Sequence, residues 1–220
     1  MAYRTTATRI DRDQALRERI LEQALARVIA GGFAALTMQA LADDVGIATG
    51  SLYRHFNNKG ELAAEVFARA SQREVDALAA TLHAPGSPSQ RLAAGVQQFA
   101  ARAWYSRRLA YALIAEPVEP QVDEQRLIYR RAYAELFSGL LAEGMAAGQF
   151  ARLPLALTAA CLVGAIAEAL VGPLAPAAQS PQPDPQQLAA VSLGLSHFCL
   201  RAVGADLSTL DPEPRLETAP

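Results

Sequence analysis

Cysteine and histidine are scarce in this chain, which has two cysteines and three histidines among 220 residues. Cys161 and Cys199 are far apart in sequence, and no Cys-x-x-Cys or Cys/His spacing typical of a metal site occurs. We therefore expect no metal and no cofactor. We expect both cysteines to be small apolar core residues, with a redox-sensing pair as the alternative.

Aromatic residues are also few, at 6% of the chain, and β-branched residues are sparse, whereas alanine and leucine are abundant. This mixture favours helices over strands. No segment shows the alternation of a strand, and apolar residues recur at helical spacing through most of the chain. The sequence therefore predicts an all-α protein with about nine helices.

Neither a strong charge excess nor an export signal is visible. The formal charge is −2, although residues 1–60 carry eight basic and six acidic side chains. This small basic excess weakly suggests an anionic partner for the N-terminal part, with ordinary scatter as the alternative. The apolar run at residues 155–171 is shorter than the ~20 residues that cross a bilayer. We expect a cytoplasmic protein that spans no membrane.

Glycine, proline and capping residues divide the chain into helices. We predict a first helix from about residue 10, capped by Asp11 or Asp13 and ended by Gly31 and Gly32. The later helices are predicted to begin at Thr37, Thr49 and Asn58, and to cover residues 91–114, 122–147, 155–171 and 188–203. Residues 1–9 and 211–220 are predicted to be disordered.

The segment "GIATGSLYRHFNNKGEL" (46–62) carries the main functional signal. Two short helices joined by a glycine-containing turn form the helix-turn-helix pattern, whose second helix enters the DNA major groove. Leu52 and Phe56 are predicted to face inward, and the polar side chains around them to face outward. Arg54 suits either a guanine or a backbone phosphate. The alternatives are ordinary ones: Tyr53 as a half-buried core aromatic, Arg54 as surface charge.

The longer segment "LTMQALADDVGIATGSLYRHFNNKGEL" (36–62) resembles the DNA-binding signature of the tetracycline-repressor (TetR) family of bacterial transcription regulators. The resemblance covers roughly the first 70 residues. It implies operator contacts from the start of the second helix and from the third helix. The residues that carry over are Thr37, Thr49, Gly50, Ser51, Tyr53, Arg54, His55 and Lys59. For His55, a solvated surface position is the alternative, and for the two threonines, a role as helix caps alone.

The resemblance also implies a helical C-terminal domain that dimerises and binds an effector. We predict a three-helix DNA-binding domain at residues 10–57, a linking helix at 58–82, and an effector-binding and dimerisation domain at 83–210. The helices at 155–171 and 188–200 are candidates for a four-helix dimer interface, or else they complete the core of one subunit. Aromatic residues between 91 and 147 suit a small-molecule site. The candidates are Trp104, Tyr105, Tyr111 and Tyr129.

The predicted function is therefore a DNA-binding transcriptional regulator: a repressor released from its operator by a small effector, with activation as the alternative mode. Its expected partners are double-stranded, near-palindromic operator DNA, a second copy of the chain and an unidentified, largely apolar small molecule. No paired carboxylates, nucleophile–base spacing or phosphate loop suggests an enzyme. The alternative is an all-helical small-molecule carrier or interaction protein that does not bind DNA.

Overall fold

The computed structural model describes residues 2–178 and 184–207, and over these residues the chain forms nine α-helices and no strand. The helices are α1 (Ala2–Gly31), α2 (Met38–Val45), α3 (Thr49–Leu52), α4 (Lys59–Leu82), α5 (Pro88–Tyr105), α6 (Arg107–Ile114), α7 (Pro120–Ala146), α8 (Leu155–Leu174) and α9 (Pro185–Ala202). Short 3-10 turns lie at Phe33–Ala35 and Pro176–Ala178. The predicted all-α class with about nine helices is confirmed.

Helix α1 is longer than expected. It begins at Ala2, where we predicted a disordered arm over residues 1–9. Residues 2–30 contain neither glycine nor proline, so nothing in the sequence stops the helix from continuing into this polar stretch. Asp11 and Asp13 consequently lie inside α1 instead of capping it. The predicted disordered tail, residues 211–220, lies outside the described residues.

A first apolar core joins α1, the 3-10 turn, α2, α3 and the first half of α4. Its most deeply buried side chains are Ile20, Leu21, Phe33, Leu36, Leu41, Leu52, Phe56 and Leu62. Ala112 of α6 and Val122 of α7 are also fully buried in this core. The N-terminal helices therefore do not pack alone, because parts of α6 and α7 complete their core.

A second core joins the second half of α4 to α5, α7, α8 and α9. Leu78 and Leu82 place α4 in this core, whereas Leu62 and Val66 place the same helix in the first one. A single helix thus belongs to both cores. A displacement of α4 would therefore change the packing of both cores.

The helix predicted over residues 91–114 is two helices. They meet at Ser106, which has φ −116° and ψ 39°. The segment contains no proline, and its one glycine, Gly95, lies inside α5, so local sequence does not announce this break. Helix α5 packs along α9, whereas α6 turns away to pack against α1 and α8. Tertiary packing therefore decides where the helix ends.

Helix α8 is apolar on more than its buried side. Its inner stripe of Ala159, Leu162, Ile166, Leu170 and Leu174 is buried, but Leu157 is 64% exposed. Cys161 is exposed on the same helix, so its predicted core position is wrong, whereas Cys199 is buried as predicted. Burial raises the pKa of the Cys199 thiol to about 12.

By length and composition alone, α8 is apolar enough to cross a membrane, with a mean hydropathy of 2.0. It is the one such helix in the part of the chain that the structure describes. The adjacent α9 also exposes apolar side chains, Leu193 and Phe198. Both helices therefore expose apolar side chains that this subunit does not cover.

Candidate nucleic-acid interface and internal cavity

Thr37 and Gly46 set the start and the end of α2, as the sequence predicts. The Thr37 hydroxyl accepts a hydrogen bond from the backbone N–H of Ala40, which fixes the start of α2. Gly46 ends α2 in the left-handed conformation, at φ 74° and ψ 40°. Thr49 does not cap α3 as predicted, because Ala48 is the N-cap. Instead the Thr49 hydroxyl donates to Gln39 Oε1 at 2.9 Å and ties α3 to α2.

Helix α3 is anchored by Leu52 and Phe56, which are 0% and 1% exposed. The guanidinium of Arg17 lies 4.9 Å from the centre of the Phe56 ring and covers it from the side of α1. This anchoring leaves Tyr53 half exposed and Arg54 exposed. The Arg54 side chain forms no hydrogen bond or ion pair with any residue in the described ranges. The predicted inward and outward faces of this segment are therefore the observed ones at these four positions.

The backbone of α3 is accessible at Gly50. A Cβ atom added there would meet no atom within 4 Å. Ser51 beside it is half-buried, and Thr37 is exposed at the start of α2. Together with Tyr53 and Arg54, these residues form a largely polar, partly exposed surface over an accessible stretch of backbone. We call this set (Thr37, Thr49, Gly50, Ser51, Tyr53, Arg54) the reading surface.

His55 does not belong to the reading surface, contrary to our prediction. Its side chain is only 4% exposed, and Nε2 lies 3.9 Å from a carboxylate oxygen of Asp13. Position 55 is three residues after Leu52, and residues three apart share one face of a helix. Helical spacing alone therefore places His55 on the inner side, a signal that our prediction overlooked.

Lys59 is half-buried at the first turn of α4, and its ammonium lies 2.8 Å from Oε1 of Glu119, the N-cap residue of α7. We predicted that Lys59 contacts phosphate. Burial is the largest single influence on the Glu119 carboxyl and raises its pKa, but the hydrogen bond from Lys59, a backbone hydrogen bond and the charge of Lys59 together lower the pKa below its ordinary value. Lys59 thus links the start of α4 to the start of α7. A phosphate that contacted Lys59 would have to share the ammonium with Glu119 or displace Glu119 from it.

Three arginines of the N-terminal helices are paired with carboxylates within the fold. Arg17 binds Glu65 at 2.7 and 2.5 Å, Arg27 pairs with Asp44, and Arg69 pairs with Glu18. Six of the seven arginines within residues 1–60 lie in α1, so the basic excess of this segment is not located on the reading surface. Arg54 is the cation that this surface offers.

A cavity lies between α4, α5, α6, α7 and α8. It encloses about 890 Å³ of space without atoms, including its open mouth. Its walls are mainly apolar, with Phe67, Phe99, Phe137 and Ile166 contributed by four different helices. The apolar character of these walls suits a largely apolar small molecule.

The cavity also has polar groups at defined places. Arg102 donates two hydrogen bonds to Glu74, at 2.6 and 2.8 Å. Burial raises the pKa of the nearby Tyr133 hydroxyl well above its ordinary value, and Glu74 adds to this shift. Tyr129 donates to Gln72 Oε1 at 3.3 Å. These groups provide directional contacts in an otherwise apolar space.

Two family models match the chain. The model described as "Bacterial regulatory proteins, tetR family" matches residues 20–66, and the model described as "Tetracyclin repressor-like, C-terminal domain" matches residues 85–170. Between them they include residues of both cores of the fold. The chain belongs to the TetR family. The predicted resemblance is thereby confirmed.

One curated TetR-family relative is the HTH-type transcriptional repressor KstR of Mycolicibacterium smegmatis. It is 37% identical over 76 residues, which are 34% of this chain and 37% of that protein. The chain thus matches little more than a third of that relative's length.

Solved structures share the TetR fold over nearly their whole length. FadR of Bacillus subtilis, in complex with stearoyl-CoA, has a TM-score of 0.70 at 16% identity and covers 84% of this chain and 98% of its own. FadR of Bacillus halodurans has a TM-score of 0.71 at 18% identity, covering 87% and 97%. The reduced form of NemR from Escherichia coli has a TM-score of 0.66 at 18% identity, covering 83% and 96%. At these identities the likeness shows the fold.

In this TetR-family chain, one of the four predicted ligand residues lines the cavity, namely Tyr129. Trp104 is fully buried away from it, with the Arg107 guanidinium 4.3 Å from its ring centre. Tyr105 is 67% exposed, and Tyr111 packs against the second core. The prediction chose aromatics by their neighbourhood in sequence, whereas inclusion in the wall depends on which face of α5 or α6 each residue occupies.

The prediction also missed walls that come from outside residues 91–147. Phe67 and Leu78 of α4 and Ile166 of α8 line the cavity. The helical apolar pattern of these segments predicts core packing for the helix of Phe67 and Leu78, and a dimer interface or core packing for the helix of Ile166, but no cavity wall. No group of three or more His, Cys, Asp or Glu side chains that could hold a metal occurs within residues 2–178 and 184–207.

Proposed function

We propose that this protein is a transcriptional repressor that binds operator DNA through the reading surface and Lys59. The observation that carries the proposal is the arrangement of α3. Two buried anchors, Leu52 and Phe56, hold Tyr53 and Arg54 outward beside the open backbone of Gly50. The phenol and guanidinium can bond phosphate oxygens or base edges in the major groove.

The protein is proposed to act as a homodimer. The exposed apolar residues Leu157 of α8 and Leu193 and Phe198 of α9 support this, because large exposed apolar side chains on adjacent helices mark an association surface. Two such pairs of helices would form a four-helix interface about a two-fold axis. Two reading surfaces would then meet half-sites about 34 Å apart or a multiple of it, in near-palindromic DNA.

The effector is proposed to be a largely apolar small molecule that binds in the cavity and releases the protein from DNA. The apolar walls support this chemistry, and FadR of Bacillus subtilis, which shares the fold, is described in complex with stearoyl-CoA. A coupling of about 1–3 kcal/mol would lower operator affinity about 5- to 150-fold. A long-chain acyl-CoA is therefore the first effector to test.

The same proposal includes a cytoplasmic location and no enzymatic activity, since the family is one of regulatory proteins. The alternative of a carrier without DNA binding has the cavity in its favour. It does not account for the exposed, unpaired Arg54 on an anchored helix-turn-helix.

Selection from random double-stranded oligonucleotides tests the proposal without knowledge of the operator. We expect enrichment of an inverted repeat by the purified protein, and release of the selected duplex by the acyl-CoA if this is the effector class. A pool that stays random after repeated rounds would refute DNA reading. If no acyl-CoA releases the selected duplex, only the proposed effector class is refuted.

A further inference from the structure

Glu116 joins the C-terminal helices to the DNA-binding region at one defined point. It lies in the connection between α6 and α7, and its carboxylate accepts hydrogen bonds from the backbone N–H groups of Phe33 and Ala34, both at 3.0 Å. These N–H groups begin the 3-10 turn between α1 and α2, whose own N-cap residue, Gly32, offers no side chain. A residue more than 80 positions away in sequence therefore caps the turn that leads into α2.

Gly32 leaves room for this carboxylate because it has no side chain. Its φ of 75° lies in the region that glycine favours, and a Cβ atom added there would come closer than 3 Å to the Glu116 carboxylate. The turn and the carboxylate thus fit one another closely. This contact has a fixed geometry, unlike a loose surface ion pair.

Arg126 of α7 holds Glu116 from the other side. Its guanidinium donates to the backbone carbonyl of Glu116 at 2.9 Å and to that of Leu113 at 3.0 Å. The same side chain lies 5.8 Å from the ring centre of Phe67 and lines the cavity together with Leu113. One residue, Glu116, therefore stands between the cavity wall and the turn before α2.

We infer that Glu116 is a positioning residue for the DNA-reading helices, and that Arg126 makes its position depend on the cavity wall. The carboxylate fixes the turn that precedes Thr37 and α2, while Arg126 fixes the backbone of Glu116 to the end of α6. A ligand that moves Arg126 or Leu113 then moves the turn, and with it the reading surface. The regulatory part of this inference rests on the proposed function, whereas the positioning part does not.

Hydrogen exchange of the free, full-length protein tests the positioning part without DNA or effector. Glu116→Ala should accelerate exchange of the Phe33 and Ala34 amides about ten- to hundredfold, since bonds to a charged acceptor are lost. Glu116→Gln keeps one acceptor oxygen, so one of the two amides should stay protected. This conservative variant also keeps the test valid if Glu116→Ala folds poorly.

The decisive variant is Arg126→Met, because Arg126 does not touch either amide. It should accelerate exchange at Phe33 and Ala34, and the double variant with Glu116→Ala should add little more than Glu116→Ala alone. Arg102→Met is the matched control: Arg102 also lines the cavity and pairs with an acid, but it bonds Glu74 on α4 instead. It should leave the two amides unchanged. The inference would be overturned if Arg126→Met left the two exchange rates unchanged. It would also be overturned if the acceleration in the double variant were the product of the accelerations in the two single variants.

The regulatory part is tested with the duplex selected by the parent protein. Glu116→Ala and Glu116→Gln should weaken binding at least about fivefold, with an unchanged salt dependence, because Glu116 contacts no phosphate. If the parent selects no sequence, the proposed function fails while the exchange result stands. If the parent binds and both variants bind equally well, the regulatory part of the inference fails while the proposed function stands.

Discussion

Arg54 is the residue on which DNA affinity should depend most directly. Arg17, Arg27 and Arg69 are paired with carboxylates, whereas the Arg54 side chain is exposed on the reading surface without a partner among the described residues. We expect Arg54→Ala to weaken operator binding by about 1–3 kcal/mol, measured by fluorescence anisotropy. Arg131→Ala, the same change at an exposed position of α7, is the control and should bind like the parent. Equal binding by both variants would remove Arg54 from the interface.

Lys59 has two candidate partners, a DNA phosphate and Glu119. If it contacts a phosphate, Lys59→Gln should reduce the slope of log affinity against log salt concentration by about 0.9. Glu119→Gln removes the competing carboxylate and should leave that slope intact or slightly steeper. An unchanged slope in Lys59→Gln would mean that its 2.8 Å pair with Glu119 is its whole role.

A comparison of Gly32→Ala with Gly148→Ala separates the cost of disturbing the Glu116 contact from the cost of backbone strain. Both have positive φ, 75° and 69°, but an added Cβ meets the Glu116 carboxylate at position 32 and nothing within 4 Å at position 148. Gly148→Ala should cost about 1–2 kcal/mol of unfolding free energy, from the left-handed conformation alone. Gly32→Ala should cost about 1–3 kcal/mol more, because the carboxylate must move and two N–H groups lose their acceptor. Equal losses in denaturant titrations would contradict the tight fit.

At the scale of the elements, local signals predicted helix ends well where a cap decides them. Thr37 caps α2, Gly46 ends it, and the Asn58 side chain accepts from the Glu61 N–H at the start of α4. The break at Ser106 could not be predicted, because α6 leaves the line of α5 to pack on distant helices. The burial of His55 could have been predicted, since its spacing from Leu52 places both on one face.

The exposed apolar residues of helices α8 and α9 are the basis of the prediction that the protein is a dimer. Phe198 is 55% exposed on α9, and an aspartate there would place a charge in the proposed interface. We expect Phe198→Asp to be a folded monomer by sedimentation and circular dichroism, and to bind a two-half-site operator far more weakly. Cys161, exposed on α8, should also react faster with a maleimide in this variant than in the parent.

Arg131→Asp introduces the same charge outside α8 and α9 and should remain a dimer. A monomeric parent, or a variant that dimerises normally, would show that these helices do not form the interface.

At the scale of the whole molecule, the sequence predicted the class of fold but not the connections between its parts. The helical spacing of apolar residues in α1 to α4 is a local pattern, so the sequence predicts these helices. The cavity combines residues as distant as Phe67 and Ile166, and the Glu116 contact joins residues 82 and 83 positions apart. Such pairings depend on how helices cross, which one sequence without a structure does not specify.

The shared cores explain why a ligand could act at a distance. Helix α4 belongs to both cores, and Ala112 and Val122 of the C-terminal helices are buried in the N-terminal one. A shift of α6 therefore cannot leave the reading surface unaffected unless these contacts break. This continuity supports regulation through population shift between two arrangements of the subunit.

The most direct measurement is an anisotropy titration of the parent protein against the selected duplex and a scrambled duplex of the same composition, over a range of salt concentrations. The account predicts at least about 10³-fold tighter binding to the selected duplex at physiological salt, and a steep loss of affinity as salt rises. Equal, weak binding to both duplexes would contradict the claim that the surface around Tyr53 and Arg54 reads DNA.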